Sequence, residues 1–256
     1  MCLIVVANHC HERYPLVIAA NRDESYLRPT RSPAFWEEAP GVLAGKDLLK
    51  GGSWLGMTRD GRFAAVTNFR EKKEQHTYPH SRGRLVKNFL ESSMPAAEYL
   101  EQVLHELPGY DAFNLLLRDR HSLYFLSSRE AQYRVLERDI YGVSNGELDC
   151  HWPKVELAKK EMASYLGNKQ LPDHAPLLEM LADQHIARDE LLPDTGVGIE
   201  LERVLSPVFI QSENYGTRAS TVITMNADGV VKFTEQAYLQ GGARGERSYY
   251  EFSVKQ

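Results

Sequence analysis

The sequence predicts an α+β fold in which helices layer on antiparallel sheets. Three observations carry this. Hydrophobic spacing reads as strands, two helices, strands, two helices, then strands. Neighbouring strands are joined by tight turns such as Arg59-Asp60-Gly61-Arg62 and Asn226-Ala227-Asp228-Gly229. No βαβ rhythm is present. There is no internal repeat, linker or low-complexity tract, so residues 1–256 are expected to form a single domain.

The elements follow in order. Cys2 to Ala7 reads as a strand. A short connector, Asn8 to Pro15, makes a hairpin with Leu16 to Glu24. That second strand is an unbroken apolar run entering Asn21-Arg22-Asp23-Glu24, the pattern of a strand buried on both faces with a polar end. Ser25 to Pro40 reads as a polar loop. After the glycine pair Gly51-Gly52, Trp54 to Thr58 and Phe63 to Asn68 read as strands, so the first seventy residues are expected to form one antiparallel sheet. A charged loop, Glu71 to His80, precedes a helix that Ser81 would cap, with Leu85, Val86, Phe89 and Leu90 on one face. A second helix starts near Pro95 and is stopped by Pro108-Gly109. Strands follow at Phe113–Leu117, Leu123–Leu126, Tyr133–Leu136 and Ile140–Val143. Lys154 to Leu166 has helical spacing and ends at Gly167. Leu177 to Leu181 continues the helical region, and 188–202 reads as loop. Ser206–Ile210, Tyr215–Ile223, Val230–Thr234 and Arg247–Val254 are the remaining strands.

Composition narrows the function. A chain that is 43% hydrophobic and 25% charged suits a sizeable core. A net charge of −5 argues against a nucleic-acid footprint. Leu3 to Ala7 is too short for a secretory signal, and no apolar run approaches the ~18 residues of a membrane span. Three cysteines give no disulfide framework and favour a reducing compartment, so a cytoplasmic protein is expected.

Antiparallel pairing sets Cys2 beside Asn21-Arg22-Asp23-Glu24. If Met1 is removed, Cys2 holds a thiol and a free α-amine, a nucleophile and a base in one residue. A nearby Arg22 or Arg218 would lower the thiol pKa. Read otherwise, Cys2 is a small thiol opening a buried strand. The Asn-Arg-Asp-Glu run could orient the amine and bind a carboxylate or amide, or close a strand end as an ion-pair network. Asn145 could donate to an oxyanion or simply form an Asn-Gly turn. Arg218 could hold an anion or lie on the surface. In His9-Cys10-His11 only the two histidines converge, too few for structural zinc, so a solvated turn is expected, with one axial haem ligand as the other reading. No metal site is expected.

Met1-Cys2, Asn21-Arg22-Asp23-Glu24, Gly51-Gly52-Ser53-Trp54-Leu55-Gly56, Thr67-Asn68-Phe69-Arg70, Ser81-Arg82-Gly83, Gly142-Val143-Ser144-Asn145 and Tyr215-Gly216-Thr217-Arg218-Ala219-Ser220 together resemble the NRDE family over nearly the whole chain. The family is similar to the N-terminal-nucleophile hydrolases, which implies a four-layer αββα sandwich of two antiparallel sheets between helix layers. Within that group the chain also resembles cholylglycine hydrolases and penicillin V acylases. That likeness implies catalytic roles for Cys2, Arg22, Asp23, Asn145 and Arg218. In that group the second-strand Arg and Asp are separated by two intervening residues, whereas Arg22 and Asp23 are adjacent. The separation is kept by Asn21 and Glu24, so the sequence leaves open which of the four faces the thiol. Asn21, Glu24, Trp54, Asn68 and Arg70 are the candidate ligand-binding residues. The resemblance implies a small-molecule ligand, with haem trafficking or acyl-CoA and lipid homeostasis as the role, and no required cofactor, haem being a possible bound ligand. The residues themselves point to the alternative, a Cys2 amidohydrolase acting on a linear amide.

Overall fold

The computed structural model describes residues 2–72, 76–167 and 171–255. In chain order the elements are β1 (Cys2–Asn8), β2 (Leu16–Ser25), β3 (Thr30–Phe35), β4 (Val42–Asp47), β5 (Leu55–Thr58), β6 (Phe63–Asn68), α1 (Gly83–Glu91), α2 (Ala96–Glu106), β7 (Phe113–Arg118), β8 (Leu123–Ser127), β9 (Gln132–Leu136), β10 (Asp139–Val143), α3 (Pro153–Leu166), α4 (Ala175–Met180), α5 (Ile199–Leu205), β11 (Tyr215–Met225), β12 (Val230–Tyr238) and β13 (Arg244–Ser253). The fold is α+β, with two antiparallel sheets and helices. The chain forms two units. One comprises Met1–Leu27, Arg70–Glu74 and Arg138–Glu251, the other Arg28–Phe69, Gln75–Glu137 and Phe252–Gln256. Among the described residues no helix is long and apolar enough to cross a membrane.

The first unit is built on a six-stranded sheet in the order β10-β1-β2-β11-β12-β13. Its centre is β2, paired antiparallel with β1 and with β11. Alternation sends Leu3, Val5 and Ala7 of β1, Val17 and Ala19 of β2 and Val222 of β11 to one face. There they meet Val155, Ala158 and Met162 of α3 and Leu177 and Met180 of α4 in one apolar cluster. The alternate residues Ile4, Val6, Ile18 and Ala20 are equally buried, so the central strands carry apolar residues on both faces as the unbroken run predicts.

The second unit is a seven-stranded meander, β3-β4-β5-β6-β7-β8-β9, with α1 and α2 inserted between β6 and β7. Leu85, Val86, Phe89 and Leu90 of α1 and Ala96, Tyr99, Leu100 and Val103 of α2 pack on Ala44, Val66, Leu115 and Leu117. Arg62 ties the far end of α1 down. Its guanidinium donates to the carbonyls of Phe89 (3.1 Å) and Met94 (2.8 Å) and lies 4.0 Å from the Phe89 ring centroid. A cation on the last carbonyls of a helix satisfies acceptors that the helix leaves open.

Several expectations are corrected. The first seventy residues do not form one sheet, since β1 and β2 belong to the first unit and β3 to β6 to the second. Ser25 to Pro40 contains β3. It is an edge strand without apolar alternation, and its register slips between Arg31 and Ala34, around Pro33. Ser81 does not cap α1, which begins after Arg82 with no side-chain cap. The stretch 188–202 contains a 3₁₀ turn at Asp189–Leu191 and the start of α5. Ser206–Ile210 is not a strand. Its backbone is held singly, by Phe209 N–H on the Asp183 carbonyl (2.7 Å) and Ile210 N–H on the Thr217 hydroxyl (2.9 Å). Met1 and positions 73–75 of the expected charged loop lie outside the described residues.

Phe89 is fully buried between the sheet, Tyr99 and Arg62. Phe89→Ala is expected to lower stability by about 3–5 kcal/mol, read as a lower denaturant midpoint. A loss below about 1 kcal/mol would show that this helix layer does not hold the sheet.

Candidate functional site

Pairing of β1 with β2 sets Cys2 directly across from Arg22, and β11 sets Ala219 against Arg22 on the other side. Residues opposite one another on neighbouring strands share a face. Cys2, Arg22 and Glu24 therefore lie on the face away from α3 and α4, while Asn21 and Asp23 turn toward those helices. The contacts agree. The Asn21 amide donates to the carbonyls of Leu181 (2.7 Å) and Val208 (2.9 Å), and its oxygen accepts from Ser220 (2.6 Å). Asn21 is thus occupied in joining β2 to the segments that follow α4. Arg22 meets Glu24 at 3.7 Å.

The Cys2 thiol is 7% exposed. Burial pushes its pKa up. The Asp23 charge adds to this, while Arg22 and the Asp23 N–H work against it. The thiol is therefore protonated at neutral pH and needs a base to react. On the same face of the sheet, Glu235 of β12 accepts from the Thr221 hydroxyl (2.7 Å). Burial raises the Glu235 carboxyl to about 7, against the pull of Thr221 and Arg22.

Asp23 is buried on the helix side. Its carboxylate accepts from Thr217 (2.7 Å), and its backbone carbonyl accepts from the Tyr215 hydroxyl (2.8 Å). Burial raises its pKa, and the strongest opposing charge is Lys154. Lys154 lies in the first turn of α3, is 3% exposed, and donates to the Leu205 carbonyl (3.1 Å). Burial, and then the Arg70 charge, bring its pKa down to about 8; Asp23 and Cys2 hold it up. A buried amine that titrates near neutrality is chemically useful.

Asn145 follows β10 and is fully buried. The Ser144 hydroxyl lies 2.9 Å from the Cys2 carbonyl and 3.2 Å from the Asn145 side-chain oxygen, so the end of β10 is fastened beside the start of β1. The Asn145 carbonyl accepts from the Arg70 N–H (2.6 Å). The Arg70 guanidinium pairs with Glu202 (2.5 Å), donates to the Leu205 carbonyl (3.3 Å) and lies 4.6 Å from the Trp152 ring centroid. Arg218 is the extra residue at the register shift between Thr217 and Ala219. Its head donates to the carbonyls of Ser25 (2.8 Å) and Tyr26 (3.1 Å), and after burial the Arg22 charge is what lowers its pKa most.

The first unit thus brings together Cys2, Arg22, Asp23, Asn145 and Arg70, and sets Arg218 and Glu24 in the field of Arg22. Trp54 and Asn68 belong to the second unit, where the Trp54 carbonyl accepts from Val66 N–H (2.9 Å) and Asn68 faces Phe113. Among the described residues of the first unit, the buried charges Lys154, Glu235 and Glu202 escape the sequence reading, and two of them carried a signal. Lys154 falls on the apolar stripe of α3 with Ala158, Met162 and Tyr165, and Glu235 continues the buried parity of Val231 and Phe233. Glu202 lies in a stretch read as loop and carried none.

Two outcomes follow. Glu202→Ala leaves a buried guanidinium uncompensated and is expected to cost about 3–5 kcal/mol, while the Arg70→Met/Glu202→Leu double variant recovers part of that loss in the same denaturant titration. Lys154 is expected to titrate with a midpoint of about 8 by carbon-13 NMR of its side chain. Asp23→Asn removes a charge that holds its proton, so the midpoint moves lower still. Between about 8 and the ordinary 10.5 the unfolded chain keeps a proton that the folded chain has lost. This group's contribution to stability therefore rises with pH across that window.

The family model for Transport and Golgi organisation 2 matches residues 1–240. The Transport and Golgi organization protein 2 homolog of Bos taurus is 34% identical over 94% of each chain, and that of Homo sapiens is 31% identical over 94% of each chain. Among solved structures, the Caenorhabditis elegans N-acylethanolamine-hydrolyzing acid amidase ortholog is 11% identical with a TM-score of 0.48, covering 87% of this chain and 92% of that one. The chain belongs to the Transport and Golgi organisation 2 family.

Proposed function

We propose that the first unit carries an amide-cleaving site with Cys2 as nucleophile, on a chain processed to begin at Cys2. What supports this most is the placement of the thiol at the start of β1, across the ladder from Arg22 and fastened beside Asn145. The freed α-amine has an ordinary pKa near ~7.7–8.0 and takes the thiol proton. Sulfur attacks the amide carbonyl carbon, a C–S bond forms, and the side-chain N–H of Asn145 receives the oxyanion. The C–N bond then breaks and the amine leaves with the proton. Water hydrolyses the thioester and restores the thiol. Arg22 is the group on the Cys2 face suited to a substrate carboxylate or carbonyl oxygen.

A second reading is a carrier for haem or an acyl lipid such as an acyl-CoA. It is favoured by the word transport in the names of the relatives. Arg22 would then hold the ligand's carboxylate or phosphate. One buried Cys2 would suffice as an axial haem ligand.

Intact mass and labelling separate the two. The hydrolase reading expects a mass beginning at Cys2, alkylation of Cys2 by a fatty-acyl chloromethyl ketone, and loss of both labelling and turnover in Cys2→Ala. Complete retention of Met1 ends that mechanism. The carrier reading expects saturable binding of haem, seen as a Soret shift, or of an acyl-CoA by calorimetry, with acyl-CoA binding intact in Cys2→Ala. Absence of saturable binding removes it.

A further inference from the structure

We propose that a cleft in the second unit, apart from the Cys2 chemistry, binds a small phosphate-bearing anion such as pyrophosphate or a phosphate ester. The cleft has a volume of about 640 Å³ and is lined by Arg28, Lys50, Arg82, Arg84 and Lys87, with His76 and His80 beside them. Asp111 is the acid in its lining. The size falls within the range of small-molecule sites.

The charge balance is what points to an anion. Arg28 is met by Asp47 at 2.6 Å, Arg82 by Asp111 at 3.2 Å, and Lys87 only loosely by Glu91 at 3.9 Å. Among the described residues neither Lys50 nor Arg84 is paired with a carboxylate. The Arg84 guanidinium instead lies 3.3 Å from Nδ1 of His80. His80 is held in place by its N–H on the Gly109 carbonyl (3.1 Å) and by the Tyr110 ring, 5.2 Å away. A side chain at Gly109 would come within 2.6 Å of the imidazole.

Gly51 and Gly52 also line the cleft. The Gly51-Gly52-Ser53 loop lies against the first turn of α1, with Ser53 N–H on the Gly83 carbonyl (3.1 Å). A Cβ at Gly52 would sit 2.5 Å from Gly83, and one at Gly83 would sit 3.0 Å from the Ser53 carbonyl. Two glycines therefore bring a loop and the start of a helix together beneath the cationic side chains. The first turn of α1 has no side-chain cap and no acidic residue, so its positive end is not offset locally. Guanidinium groups and a helix start favour phosphate oxygens over a lone carboxylate.

The test is isothermal calorimetry on the full chain at about 0.15 M salt, with pyrophosphate, ADP and citrate as titrants and phosphatidic-acid vesicles as a separate arm. Saturable binding of pyrophosphate and ADP is expected. It should weaken at least about tenfold in Lys50→Glu/Arg84→Glu, two exposed positions at which the melting temperature is expected to hold. Cys2→Ala should bind as the parent chain does, which keeps this outcome separate from that of the Cys2 site. The proposal is overturned by absence of binding to both soluble phosphates, by equal affinity in the double variant, by citrate binding as tightly as pyrophosphate, or by binding to vesicles alone.

Discussion

The position of β2 between β1 and β11 governs the first unit. Two antiparallel ladders fix its register from both sides, and a slip of one residue on either would exchange the faces of all its side chains. Leu16 to Ala20 are apolar on both faces, so the polar end is what pins the register: a slip would take Asn21 off the Leu181 and Val208 carbonyls and off Ser220. Asn21 and Asp23 are sent to the helices, Arg22 and Glu24 to the other face, and Cys2 is placed opposite Arg22. The four-residue motif is therefore two pairs with different work. Asn21 closes backbone acceptors after α4, and Asp23 meets Thr217 and the field of Lys154. Arg22 and Glu24 are left as the polar neighbours of the thiol.

Around this frame the first unit buries more charge than stability alone asks for. Replacing a buried ion pair by apolar side chains is often neutral or favourable, yet Arg70 and Glu202, with side chains 3% and 2% exposed, are kept. The Arg70 N–H also donates to the Asn145 carbonyl and its guanidinium lies on Trp152, so it locks the end of β10 to the start of α3. Lys154 and Asp23 are displaced from their ordinary pKa values in opposite directions, as burial requires of a base and an acid. Both are drawn toward the neutral form, and each opposes that shift in the other. An amine that titrates at about 8 exchanges a proton near neutrality at small cost.

Much of this was readable in the sequence. The hairpin of β1 and β2 follows from one unbroken apolar run and a short connector, and the helices from their stripes. The partition of strands between two sheets was not readable, because antiparallel strands in succession look the same whether or not they share a sheet. β3 hid because an edge strand with a proline needs no apolar alternation. Ser81 was a reasonable cap by residue type, but its backbone carbonyl accepts from the Arg84 N–H and Arg82 is already helical, so Ser81 lies one residue before the cap position. In the site, Cys2, Arg22 and Asp23 were legible from pairing. The division of the Asn-Arg-Asp-Glu run by face needed the register on both sides. Lys154 and Glu235 could have been found, since each interrupts an apolar periodicity with a charge.

The two units use charge in opposite ways. In the first, Cys2, Asp23, Lys154 and Glu235 are buried and shifted, and their interactions are strong because water is excluded. In the second, cations such as Lys50 and Arg84 stand exposed at a cleft that Gly51 and Gly52 also line. Their attraction for an anion is screened within about 8–10 Å at ordinary ionic strength, so it draws on several cations at once rather than on one. A single chain thus carries both arrangements, buried and shifted groups in one unit and exposed cations at a cleft in the other. The second does not depend on whether the thiol reacts.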